Sequence, residues 1–237
     1  MGKETILFNL ERLQTLIIPP SFSTRKIAGE TVEALYQGER TLAKLEREHL
    51  GYVKELLAHP ELKRLITEGK VTFGIVKPHV EEGKSLPPDD DEAALDILDR
   101  IRELGVKDDI KLFSIPLKLT RPRAEEFYEP VKQKIGPNWE TYMRFITSGP
   151  LTAVLIYRNK TDTIQWWRTM MGATNPQNAS AGTIRGDYGR TIRNNIVHGS
   201  DSKRSVRREL QIMGNLVSDL IDQSDQNSKR KTKENTK

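Results

Sequence analysis

The sequence predicts an α/β or α+β domain, with helices packed on one sheet, behind a helical N-terminal segment. Three observations support this. Short β-rich apolar runs at 71–76, 110–115 and 151–157 interleave with segments of helical periodicity. The run at 151–157 is nearly continuous, as suits a central strand covered on both faces. Residues 1–70 contain no such run and are instead rich in Leu, Glu, Lys and Arg.

In chain order, Ile6, Leu10, Leu13 and Ile17 recur at helical spacing until Pro19-Pro20 stops them. Leu35, Leu42, Leu45, Tyr52, Val53 and Leu56 form a second stripe between 31 and 59, and a short helix follows Pro60. Helices are then expected at 91–104, 122–134, 138–147, 161–171 and 202–221, with a short fourth strand at 195–197. Two irregular stretches interrupt them. The acidic one at 81–91 contains Pro87-Pro88; the one at 172–188 is long, carries Pro176, Gly182 and Gly186, and has no periodicity. Loops of that length in a compact domain usually serve function. The expected organisation is a helical extension (1–70), a catalytic domain (71–222) and a disordered basic tail (223–237).

Composition excludes several classes. Of 237 residues 36% are hydrophobic and 30% charged, and no stretch approaches the roughly 18 consecutive apolar residues of a spanning helix. The absence of cysteine removes disulfide scaffolds, zinc–thiolate sites and thiol nucleophiles. Glu4, Glu11 and Arg12 break up the N-terminal apolar residues, so no secretory leader is expected. The reading is a soluble, cytoplasmic protein. Lys and Arg exceed Asp and Glu by 38 to 33, and much of the excess is Lys229, Arg230, Lys231, Lys233 and Lys237. Without interleaved aromatics for stacking, this tail reads as a solvated end rather than a nucleic-acid site.

Among the four histidines, His198 has the most telling context. It ends an apolar strand and precedes Gly199-Ser200-Asp201-Ser202, an N-cap-like run, so helix N–H groups lie near its ring, where a phosphate is favoured. Arg168, Thr174 and Arg185 precede it, and Lys77 ends the first strand. Cations and a hydroxyl converging on an imidazole suit phosphoryl transfer, where catalysis is mostly positioning and charge stabilisation.

These segments resemble the nucleoside diphosphate kinase family. The resemblance is carried by Thr72-Phe73-Gly74-Ile75-Val76-Lys77-Pro78, by Ser148-Gly149-Pro150, and by Arg168-Thr169-Met170-Met171-Gly172-Ala173-Thr174-Asn175-Pro176. Gly182-Thr183-Ile184-Arg185-Gly186-Asp187 and Asn195-Ile196-Val197-His198-Gly199-Ser200-Asp201-Ser202 follow, then Glu209, in the family's order across about 71–210. It implies a ferredoxin-like α+β fold with an antiparallel sheet. It implies a ping-pong exchange in which His198 takes the γ-phosphate of a nucleoside triphosphate and passes it to a nucleoside diphosphate. Lys77, Arg168 and Arg185 would neutralise phosphate oxygens, with Mg²⁺ carried on the nucleotide phosphates and no metal held by side chains alone. Thr174 and Asn195 would bind phosphate and sugar, Tyr128 would lie near Lys77 and His198, and Glu209 would orient the imidazole. ATP and other nucleoside tri- and diphosphates are the implied substrates, with the base clamped by apolar groups, and a homo-oligomer (hexamer, tetramer or dimer) is the implied assembly.

The chain departs from the family's pattern in four places. Lys77-Pro78 runs into His79-Val80 and an acidic insertion; His79 is expected to be structural. An insertion around Gly136-Pro137 shifts the base-clamping region, where Trp139 is the candidate stacking residue, with Asn138 and Tyr142 beside it. Arg193-Asn194 stands where Gly-Arg often precedes the site's asparagine, and no phosphate role is assigned to Arg193. Residues 1–70 and the C-terminal end are additions to a minimal member. The alternative reading is a nucleotide-binding regulatory module of the same fold without efficient turnover; nucleic-acid binding through the tail ranks below both.

Overall fold

The computed structural model describes residues 50–51, 53–78, 91–106 and 110–234. The expected helices over 6–18 and most of 31–59, together with His49, His79 and the acidic stretch 81–90, lie outside the described residues. The chain divides into two compact units, one of Lys63–Leu210 and one of Met1–Leu62 with Gln211–Lys237. In the second unit residues 50–51 and 53–58 are helical, burying Val53 and Leu56. Among the described residues no helix is long and apolar enough to cross a membrane.

The Lys63–Leu210 unit is built on four strands: β1 (Val71–Val76), β2 (Lys111–Leu117), β3 (Leu151–Tyr157) and β4 (Val197–Gly199). Their order is β2-β3-β1-β4 and every pairing is antiparallel. Helix α1 (Pro60–Glu68) leads into β1, and α2 (Asp91–Val106) connects β1 to β2. Between β2 and β3 run α3 (Arg121–Tyr128), α4 (Lys132–Ile135) and α5 (Trp139–Ile146). Helices α6 (Thr163–Met171) and α7 (Ile184–Tyr188) connect β3 to β4, and α8 (Lys203–Glu234) follows. This is the ferredoxin-like arrangement: two split β-α-β units forming one antiparallel sheet.

The sheet is buried on both faces. Val76, Val154 and Ile156 join Ile97, Leu98 and Ile101 of α2 and Trp166, Trp167 and Met171 of α6 in one apolar cluster. Phe73 and Ile75 point the other way by strand alternation, and the Phe73 ring lies 6.3 Å from that of Phe127 on α3. Every residue of β1 is buried, Thr72 included, as suits a β-rich run in the interior of the sheet. The strand at 151–157 is central, paired with β1 on one side and β2 on the other.

Three expectations change. The single helix expected over 122–134 is broken into α3, a 3₁₀ turn at Glu129–Val131, and α4, because Pro130 removes an amide donor; a second 3₁₀ turn at Gly136–Asn138 holds Pro137. The fourth strand begins at Val197, two residues later than expected, because Ile196 adopts φ 66° and takes 195–196 out of the ladder. The last helix runs to Glu234 rather than ending at 221 before an unfolded tail; residues 222–234 contain neither Pro nor Gly, so no strong breaker stops it. The aperiodic stretch at 172–188 contains a 3₁₀ turn at Pro176–Asn178 and α7, both too short to show a period.

Glycine is required where β4 crosses the core. Gly74 pairs with Gly199, and a Cβ on Gly74 would fall 2.8 Å from the His198 carbonyl oxygen and 2.9 Å from Trp167 Nε1. A Cβ on Gly199 would collide with Trp167 and Met171. We predict that Gly74→Ala destabilises the protein by about 1–3 kcal/mol through overpacking. Gly51→Ala, in a helix and with nothing within 4 Å of the new methyl, should instead stabilise by about 0.5–1 kcal/mol. Urea unfolding of the two variants checks the opposite signs.

Candidate active site

The pairing of β4 with β1 assembles the site. His198 sits opposite Ile75, so its side chain emerges on the face covered by α3, while Gly199 turns toward Trp167. Beyond the ladder the Lys77 amide donates to the Ile196 carbonyl at 2.8 Å, and the Ser200 amide donates to the Phe73 carbonyl at 3.0 Å. Ile196 is the one non-glycine residue with positive φ among the described residues. The Val197 amide donates to the Asn195 carbonyl at 2.7 Å, closing a three-residue γ-turn. Such a backbone costs about 1–3 kcal/mol and persists only where its surroundings over-determine it. Ile196 itself is 2% exposed, anchored in the apolar cluster.

Glu209 Oε2 accepts hydrogen bonds from His198 Nε2–H at 3.0 Å and from the Ser200 hydroxyl at 2.7 Å. Because an ionised carboxylate only accepts, a neutral imidazole satisfies this contact with its proton on Nε2 and its lone pair on Nδ1. The Glu209 side chain is 6% exposed, that of His198 23%. Phe127 packs edge-on to the imidazole with centroids 5.1 Å apart, and Tyr128 does so at 6.0 Å. Arg208, one residue before Glu209, donates to the carbonyls of Glu126 at 2.6 Å and Phe127 at 2.7 Å, tying α8 to the end of α3.

Cations line the opposite side of a cleft of about 630 Å³. Lys77 Nζ donates to Asn195 Oδ1 at 2.6 Å, and Asn195 Nδ2 donates to the Thr174 carbonyl at 2.9 Å. The Arg185 guanidinium donates to the carbonyls of Gly172 and Val197, both at 2.9 Å, so it braces the strand as well as facing the cleft. Burial, with Arg185 nearby, pushes the Lys77 ammonium down to about 7. Burial and the neighbouring Arg168 push Arg185 down to about 10. The Tyr128 hydroxyl is buried beside that of Tyr142 and is raised well above the ordinary phenol range, chiefly by that burial. An anion entering the cleft would relieve the cations of this cost.

Of the residues singled out from sequence, Lys77, Tyr128, Arg168, Thr174, Arg185, Asn195, His198 and Glu209 all line this one cleft. Trp139 does not. It packs inward on the first turn of α5, 9% exposed, with Lys132 Nζ 5.2 Å from its ring centroid. The next turn's Tyr142, three residues on, faces the cleft instead. Sequence reasoning also missed Phe127, Ser200 and Arg208, and it gave Arg193 no role although Arg193 lines the cleft. Only Tyr142 carried a usable signal, its helical spacing from Trp139. The others depend on the α3–α8 contact.

Among the described residues no three acidic or imidazole groups gather as metal ligands. Glu209 is committed to His198 and Ser200, and the remaining walls are cationic or neutral apart from Asp201. This donor set fits a divalent ion arriving on polyphosphate oxygens.

A ferredoxin-like domain whose edge strand presents a carboxylate-bound histidine to a cationic, nucleotide-sized cleft defines the class. Residues 70–215 match the family model for nucleoside diphosphate kinase, and the chain belongs to that family. A nucleoside diphosphate kinase of Thermobifida fusca is 38% identical over 118 residues, 49% of this chain and 82% of the relative. That of Deinococcus radiodurans is 37% identical over 152 residues, covering 62% of this chain and 98% of its own length. The solved structure of a nucleoside diphosphate kinase from Halobacterium salinarum, in complex with CDP, is 28% identical with a TM-score of 0.49. It covers 61% of this chain and 86% of that one. Residues 1–69 lie outside the family match.

Lys77 gives a stability prediction with a fixed sign. Its folded-state value of about 7 lies below the roughly 10.4 of an unfolded lysine, so between these limits the unfolded chain binds more protons. The buried ammonium therefore costs stability in full below pH about 7, and the cost fades as pH rises toward 10. Lys77→Met should melt higher than the native chain at pH 6.5, by on the order of 1–3 kcal/mol, with the advantage shrinking as pH rises to 10. Thermal unfolding at pH 6.5, 8 and 10 measures it.

Proposed function

We propose that this chain is a nucleoside diphosphate kinase, transferring the γ-phosphate of a nucleoside triphosphate to a nucleoside diphosphate through a phosphohistidine at His198. The observation that carries the reading is the Glu209–His198 hydrogen bond at the wall of a cationic cleft. It frees the Nδ1 lone pair and holds the ring against rotation. In the first half-reaction Nδ1 attacks the γ-phosphorus; the N–P bond forms as the bond to the β,γ-bridging oxygen breaks, and the electron pair leaves on the nucleoside diphosphate. In the second, a β-phosphate oxygen of the acceptor displaces Nδ1 and restores the free ring.

The buried cations supply charge stabilisation. Lys77, Arg168 and Arg185 are proposed to hold phosphate oxygens, with Thr174 and Asn195 adding hydrogen bonds to phosphate and sugar and Lys77 also reaching the ribose. The buried Tyr128 hydroxyl, on the wall of the cleft, is proposed to donate to the transferred phosphoryl group. Mg²⁺ bound on the nucleotide phosphates would neutralise charge as the leaving oxygen departs. Val131 and Ile192, 40% and 63% exposed, are the exposed large apolar side chains among the described residues, and both stand on the cleft. They support an apolar clamp on the base and hence acceptance of any nucleotide. The catalytic domain we propose is residues 71–222, with 1–70 as an extension, in a cytoplasmic homo-oligomer.

The native chain is expected to transfer phosphate from ATP to GDP and to acquire acid-labile, alkali-stable label from γ-labelled ATP. His198→Ala should lose both, transfer falling by at least about 10³-fold, while still binding ADP. A native chain that binds ATP yet takes up no label would instead be a nucleotide-binding module.

A further inference from the structure

Lys77 is held in an unusual way for a buried ammonium. Among the described residues no carboxylate pairs with it; its hydrogen bond goes to the neutral Asn195 amide, and the charged group that acts on it is the like-charged Arg185. The other contact is aromatic. Lys77 Nζ lies 5.4 Å from the centroid of the Tyr142 ring, within the range in which a ring face attracts a cation. That ring is fixed in turn. Tyr128 meets it edge-on with centroids 4.9 Å apart, and Phe145 packs against it at 6.2 Å. Its phenol is 9% exposed and pushed up to about 12 by burial, so Tyr142 stays uncharged through the working pH range. The titratable groups sharing this cleft with Lys77 are Arg168 and Arg185 from α6 and α7, His198 from β4 with Asp201 just after it, Arg208 and Glu209 from α8, Tyr128 from α3, Lys134 from α4, and Arg193 before β4. Of the two carboxylates, Glu209 is engaged by His198 and Ser200, and Asp201 by Ser205.

We propose that Tyr142 is the positioning residue of Lys77: its ring face holds the ammonium beside Asn195 and favours the cationic form that nucleotide phosphates require. This rests on the phosphate-binding role given to Lys77 in the proposed function. A π face attracts ammonium but not amine, so losing it must matter most where Lys77 is close to losing its proton. Loss of packing would weaken binding alike at every pH.

The test measures ADP affinity by isothermal titration calorimetry between pH 6 and pH 8.5 for the native chain, Tyr142→Leu and Tyr142→Phe. Tyr142→Leu should weaken binding by less than about twofold at pH 6 and about three- to fivefold at pH 8.5, a shift of the alkaline limb by about half a pH unit or more. Tyr142→Phe keeps the ring and should keep the native pH profile. A leucine effect equal at all pH values, or a phenylalanine variant that follows leucine, overturns the proposal. Should Tyr142→Leu fail to fold, trifluorophenylalanine at position 142, close in size to phenylalanine but with a depleted π face, takes its place against Tyr142→Phe with the same two outcomes. A native chain that binds ADP but takes no label from ATP sinks the kinase reading alone, and the affinity series still decides the role of Tyr142. A chain that binds no ADP sinks both.

Discussion

Three residue pairs between β1 and β4 hold together parts of the chain more than a hundred positions apart. They set His198 opposite Ile75 and bring the residue after β1, Lys77, to the turn before β4, where its amide meets Ile196 and its ammonium meets Asn195. The short strand is held from both sides. Gly74 and Gly199 let the ladder settle on the Trp167 indole, and Arg185 clasps the Val197 carbonyl. Without that pairing, His198 and the cations would belong to separate segments.

Much of what surrounds the pairing is unfavourable in isolation. Ile196 is in a left-handed backbone conformation, Lys77 and Arg185 are buried cations held near each other, and Arg185 Nε is buried without a hydrogen-bond partner. A packed core can carry these costs because β1 is buried on both faces and α6 presents Trp166, Trp167 and Met171 to it. Strained and desolvated groups that no structural role needs collect at sites where a ligand restores the balance. Here the charge of Lys77, Arg168 and Arg185 suits a polyanion.

Helix α8 couples the two halves of the cleft. From consecutive positions Glu209 holds the imidazole and Arg208 holds the end of α3, so the helix that holds the His198 ring also sets the wall bearing Phe127 and Tyr128. One rotation of α8 would therefore disturb both the His198 ring and the aromatic wall.

The ordered apolar runs and the His198, Arg185 and Lys77 segments were legible in the sequence because each is a local pattern: strand composition, helical period, or a run of residue types around a turn. They determined the fold class, the family and eight of the cleft residues. Tertiary structure alone decided what local pattern does not encode. The rotation of α5 sent Trp139 inward and Tyr142 to Lys77, after Pro130 and Pro137 had broken the preceding helix. The turn at Ile196 chose which residues enter β4, and the approach of α8 decided that Glu209 reaches Nε2. Helical phase after a break, and the angle at which one element meets another, come from packing between distant segments, and packing leaves only a faint trace in a single sequence.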